Sequence, residues 1–191
     1  MNVWDRRREH VSRPYKSNQN RQPHDRRRKS HFDYEKLRSR ESYVLDLSGP
    51  VGNAAVKAPS LATFEVTVRG RAAHAGFAPE NGVHAVQAAA NAVSKLELGH
   101  VGGQMTVNIG KFSGGTTTNV IPDLCIVQGE VRSSVHEELL RHLQVIRGVF
   151  EKEAELMGAE ITFEREVFFK AYETPAEHRV VKRFRKAFPE P

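Results

Sequence analysis

A chain of 191 residues with a formal charge of +6 has room for one domain with appendages. The charge is uneven: residues 1–40 hold 13 Lys or Arg against 5 Asp or Glu, a balance of +8, whereas residues 41–191 hold 16 against 18, a balance of −2. The lone cysteine, Cys125, excludes an internal disulfide framework and any cysteine-based zinc site, and no apolar run approaches membrane-spanning length.

The basic start has no apolar segment behind it, so it is not expected to act as a secretory signal. Asp5, Glu9, Pro14 and Pro23 would interrupt the amphipathic helix of a transit peptide. The expected location is cytoplasmic. Residues 1–30, rich in Arg, Asn, Gln and His and without periodicity, are expected to form a disordered basic arm.

The stretch from Tyr34 reads as helical and leads into a short buried-strand pattern, Tyr43-Val44-Leu45-Asp46. Gly49-Pro50 and Gly52 predict a turn before an extended piece over 54–58. Phe64, Val66 and Val68 then alternate with Thr63, Glu65, Thr67 and Arg69, the period of a half-buried strand. Val83, Val86, Ala90, Val93 and Leu96 recur at helical spacing, with Gly99 as the stop. Met105, Val107 and Ile109 alternate again, a Gly- and Thr-rich loop follows at 114–118, and residues 123–131 read as an apolar strand holding Cys125 as a buried structural thiol.

The next helix carries a capping-box pattern, Ser134 with Glu137, ahead of a stripe of Leu139, Leu143, Ile146, Phe150, Ala154 and Met157, and Gly158 ends it. Ile161 and Phe163 open a last strand. The order strand, helix, strand, strand, helix, strand predicts an α+β fold: a ferredoxin-like βαββαβ sandwich, a four-stranded antiparallel sheet with both helices on one face. Beyond Lys170, Val180, Val181 and Phe184 begin a further amphipathic helix, which reads as cut off at Pro189-Glu190-Pro191.

Three polar residues stand out on strand ends. His74 follows the first strand among Ala72, Ala73, Ala75 and Gly76, small neighbours that let a ligand approach the imidazole. Asn119 lies in TTTNVIP and Arg132 in GEVRSS. Each has an ordinary structural reading by itself: a loop histidine, a turn asparagine before Pro122, and a surface arginine paired with Glu130 or Glu137. His136, in a helix cap, and His178, on a surface helix, are expected in solvated roles.

Taken in order, GRAAHAGFAPENGVHAV, TTTNVIPD and GEVRSS closely resemble the dimerisation domain of the dizinc exopeptidases, which include peptidase T-like tripeptidases, carboxypeptidase G and aminoacylases. SYVLDLSGPVG resembles the part of their catalytic domain that leads into this insert, so the likeness covers about residues 31–175. The resemblance implies that His74 reaches across a homodimer to donate a hydrogen bond to the scissile carbonyl oxygen. It implies that Asn119 binds substrate near that centre and that Arg132 grips a terminal carboxylate. Asp46 corresponds to one carboxylate ligand of one of the two zinc ions, and the substrate is a small peptide or acyl-amino acid.

The departures matter as much. Such a site also needs two histidines, a bridging aspartate, a further glutamate ligand and a glutamate base that activates metal-bound water. No Glu-Glu pair precedes Asp46, and His31-Phe32-Asp33 lies too close to Asp46 to be the missing His-x-Asp signature. One carboxylate does not hold zinc, because catalytic zinc sites use at least three protein ligands. This chain alone is therefore expected to bind no zinc stably and to lack activity.

The expected organisation is a basic arm (1–30), a catalytic-domain remnant (31–60), a dimerisation lid (61–170) and the start of a returning helix (171–191). Codons for His24 to Lys29, read one base later, can encode Thr-Ile-Gly-Glu-Glu, so the arm is expected to be a shifted-frame remnant of the missing segment. The other functional class is non-specific nucleic-acid binding through the arm. Against it, neither face of the strand around residue 107 offers aromatics for stacking bases. No membrane partner is expected.

Overall fold

The structure, a computed structural model, describes residues 2–5, 38, 41–44 and 47–189. It divides into two compact units, one formed by residues 59–167 and the other by the segments on either side.

The first unit is mixed α+β. Strand β4 (Ser60–Arg69) buries Phe64, Val66 and Val68 and turns Thr63, Glu65 and Thr67 the other way. It pairs antiparallel with β9 (Leu124–Ser133), from Ser60 opposite Ser133 to Arg69 opposite Leu124. On the far side of β9 lies β7 (Met105–Gly114), also antiparallel, with a register shift between Ile109 and Lys111. Strand β10 (Glu160–Phe169) flanks β4, and β6 (Gly99–His100) pairs with Val107 and Thr106 of β7. The order is β10-β4-β9-β7-β6, so the expected four-stranded sheet is corrected to five strands. The added strand, which begins at the expected helix-stop Gly99, arises because Gly102 and Gly103, at φ +49° and +51°, turn the chain back onto β7, with Val101 N donating to the Met105 carbonyl at 3.0 Å.

Two helices, α1 (Ala85–Ser94) and α2 (His136–Met157), pack on each other and over β4 and β9. α1 is narrow at its buried face, where Ala85, Ala88, Ala89 and Ala92 allow close approach to the sheet. α2 buries the stripe Leu139, Leu143, Ile146, Phe150 and Ala154, and Gly158 ends it in the left-handed conformation at φ +70°. Its start differs from the capping-box expectation. The N-cap is Val135, with no side-chain cap, and the Ser134 backbone N–H that Glu137 would accept in a capping box goes to the Gln104 carbonyl instead. The hydroxyl of buried Ser133 accepts from Val135 N at 3.1 Å. His136 is not simply solvated: its Nδ1 lies 3.1 Å from the hydroxyl of buried Ser60.

Cys125 is fully buried, and burial pushes its thiol up to about 11. At pH 8 that leaves about one thiolate in a thousand. Iodoacetamide at pH 8 is accordingly expected to leave the native chain unmodified over an hour and to add one label in guanidinium, read by mass spectrometry.

In the second unit, β1 (Asn2–Asp5) pairs antiparallel with β2 (Glu41–Val44). This corrects the disordered-arm expectation at its first residues, since Val3 and Trp4 are good strand formers. Residues 6–37 lie outside the described residues, as does most of the helix expected from Tyr34. Strand β3 (Lys57–Ala58) pairs with β11 (Tyr172–Glu173). Helix α3 (Arg179–Ala187) buries Val180, Val181 and Phe184, and the Tyr43 hydroxyl donates to the Val180 carbonyl at 2.8 Å. Glu41 pairs with Arg179 and Arg183. Partly buried His178 caps α3, its Nδ1 accepting from Val180 N.

Candidate functional site

Past the paired ends of β4 and β9 the chain continues as a short ribbon. Strand β5 (Ala73–His74) pairs with β8 (Val120–Ile121), placing Ala73 opposite Ile121 and His74 opposite Val120. Ala75 N donates to the Asn119 carbonyl at 3.0 Å, which brings residues 74 and 119 together at the ribbon tip. The base is pinned by Gly70 N to Asp123 O at 2.8 Å, by two bonds between Arg71 and Val83, and by Ala85 N to Pro122 O at 2.9 Å. Two glycines make this packing possible. A Cβ on Gly70 would lie 2.0 Å from the Val83 carbonyl oxygen, and one on Gly82 would lie 2.6 Å from Ile121 Cδ1.

The ring of His74 has a defined polarity. Its Nδ1 accepts from Gly76 N at 3.2 Å and Phe77 N at 3.3 Å, so that nitrogen must carry a lone pair. The neutral ring then holds its proton on Nε2, which can only donate. The Phe77 ring lies 4.4 Å from the imidazole and is 86% exposed, an apolar group beside the donor. On the facing segment, the Thr117 hydroxyl donates to Asn119 Oδ1 at 2.9 Å, leaving the Asn119 NH2 group as donor.

Arg132 is elsewhere. It sits one residue from the opposite end of β9, across from Leu61 and Thr106, eight positions along the strand from Leu124. That length of strand spans roughly 27 Å. Its Nε donates to Glu130 Oε1 at 2.8 Å, as one of the ordinary readings anticipates, and leaves the outer guanidinium edge to solvent. The pair is exposed and contributes at most about 1 kcal/mol. Within one copy, then, His74 and Asn119 come together at the ribbon tip and Arg132 lies apart from them.

Asp46 lies outside the described residues. Among the described residues, no three His, Cys, Asp or Glu side chains come together in a way that could hold a metal ion. The described side chains therefore do not fit a zinc site. Also among the described residues, no helix is long and apolar enough to cross a membrane.

Residues 56–157 match the family model described as "Peptidase dimerisation domain", the M20 peptidase type. The chain belongs to that family. A Bacillus subtilis protein, the uncharacterized YqjE, is 38% identical over 145 residues, covering 76% of this chain and 39% of its own. The aminopeptidase PepT of Bacillus cereus is 33% identical with a TM-score of 0.73, over 84% of this chain and 44% of its own. A Staphylococcus aureus tripeptidase is 33% identical with a TM-score of 0.70, over 75% and 38%. The chain thus spans less than half the length of these relatives.

Phe77, Thr117 and the paired glycines Gly70 and Gly82 were not legible as site residues.

Proposed function

We propose that this chain is the lid and dimerisation part of an M20-type exopeptidase for small peptides or acyl-amino acids, and that by itself it dimerises without hydrolysing peptides. The ferredoxin-like sandwich, extended by β6, is the platform of the lid. His74 Nε2–H donates to a carbonyl oxygen as that oxygen becomes anionic, and Asn119 binds beside it. In a complete site, loss of one such donor costs on the order of 10²–10³ in rate. Arg132 takes a terminal carboxylate on its free edge, which suits a planar bidentate donor.

The observation that carries the reading is the ribbon tip, where His74 and Asn119 both present donors. The spacing of Arg132 supports two copies per site. An extended tripeptide is only about 10 Å long, far short of roughly 27 Å, so one substrate cannot touch both ends of one lid. A site using all three residues draws them from two chains. The names of the relatives, a tripeptidase and an aminopeptidase, agree with the substrate class. Nucleic-acid binding gains no support from the sheet, whose face away from the helices carries Thr63, Glu65, Gln128 and Glu130.

The purified chain is expected to sediment as a dimer, to carry far less than one zinc per chain, and to leave trialanine intact with or without added zinc. Stoichiometric zinc with turnover would overturn the catalytic incompleteness; a monomer would overturn the dimeric lid.

A further inference from the structure

We propose that Thr117 is a positioning residue that fixes the donor polarity of Asn119. An asparagine amide offers an acceptor oxygen at one end and two N–H donors at the other, and an exposed one rotates freely between them. Only one orientation serves a carbonyl oxygen that gains negative charge, since the amide oxygen in its place would repel it. Asn119 is exposed, and its backbone carbonyl is already used by Ala75 N. The hydroxyl of Thr117 donates to Oδ1 at 2.9 Å and occupies the acceptor end. The NH2 group is thereby the end left for a ligand.

The same arrangement is made by different means on the paired strand, where two backbone N–H groups occupy Nδ1 of His74. Both sides of the ribbon tip have their acceptor atoms engaged and their donors free. Of the three consecutive threonines 116–118, the one whose hydroxyl reaches the amide is Thr117, two residues before it. This inference rests on the reading that Asn119 contacts substrate.

The test is 15N NMR of the full chain, with the Asn119 side-chain NH2 pair identified by its loss in Asn119→Asp and trialanine as the probe. Thr117→Val, which keeps the shape and removes the hydroxyl, is expected to move the NH2 pair and weaken trialanine binding there about three- to tenfold. Thr117→Ser is expected to restore both, with the melting temperature unchanged in all three. An NH2 pair unmoved by Thr117→Val, or equal trialanine affinity in the two variants, overturns the proposal. A pair that responds to Thr117→Val while trialanine leaves wild-type Asn119 untouched supports the positioning and instead overturns the substrate role of Asn119.

Discussion

Gly70→Ala is expected to lower the melting temperature by roughly 10–20 °C, whereas Gly148→Ala, the same chemical change, raises it by a few degrees. The new methyl at position 70 would sit 2.0 Å from the Val83 carbonyl oxygen, 2.9 Å from its carbon and 3.2 Å from Ala85 N. All three are backbone atoms, so no side chain can swing aside. Relief requires separating the Arg71–Val83 bridge from the start of α1, and Gly70 N also loses its alignment with Asp123 O. Overpacking of this kind costs about 1–3 kcal/mol, and each kcal/mol moves the midpoint of a domain this size by roughly 4–8 °C. The His74 ribbon hangs from that bridge, so its Cε1–H resonance is expected to move together with the fall in stability. Gly148 lies inside α2 with open space where its Cβ would be. There alanine gains about 0.5–1 kcal/mol of helix propensity and collides with nothing. Equal melting temperatures for the two variants would contradict both halves of the argument.

What the sequence reveals and what it hides divide along the range of the interactions. The alternation at Phe64, Val66 and Val68 and the stripe from Leu139 to Ala154 are local periodicities, and each matches the buried face observed. The capping box at Ser134 is local too, yet it is overridden, and the Ser134 N–H that Glu137 would accept goes to the Gln104 carbonyl instead. Likewise composition marks residues 1–30 as an arm, while pairing with Glu41–Val44 draws Asn2–Asp5 into a strand. The β5–β8 ribbon depends on residues about 46 apart and on two glycines whose necessity is visible only once Val83 and Ile121 are in place. The polarity of the site is hidden for the same reason. His74 and Asn119 are prominent in the sequence, but which of their atoms remain free is decided by Gly76, Phe77 and Thr117.

Phe112→Asp is expected to convert the dimer to a monomer at micromolar concentration, with about a thousandfold rise in dissociation constant. The sheet has two edges. Along β10 the exposed Glu160, Glu164, Arg165 and Glu166 supply the charges that discourage a second strand from pairing. Along β7 the neighbour β6 reaches only Thr106 and Val107, so among the described residues Asn108–Gly114 has no partner on that side. The only charge in that stretch is Lys111, and it includes Phe112, which is 43% exposed. An open, weakly charged edge with an exposed aromatic suits antiparallel pairing with a second copy, which would satisfy the free backbone groups and cover the ring. Across a two-fold axis each substitution counts twice. A central aromatic contributes about 2 kcal/mol or more, so two of them give roughly 4 kcal/mol, or three decades in affinity. Sedimentation of Phe112→Asp beside Glu164→Lys separates the edges: the first is expected to run as a monomer and the second as a dimer. A dimer that survives the first and fails in the second would place the contact on β10.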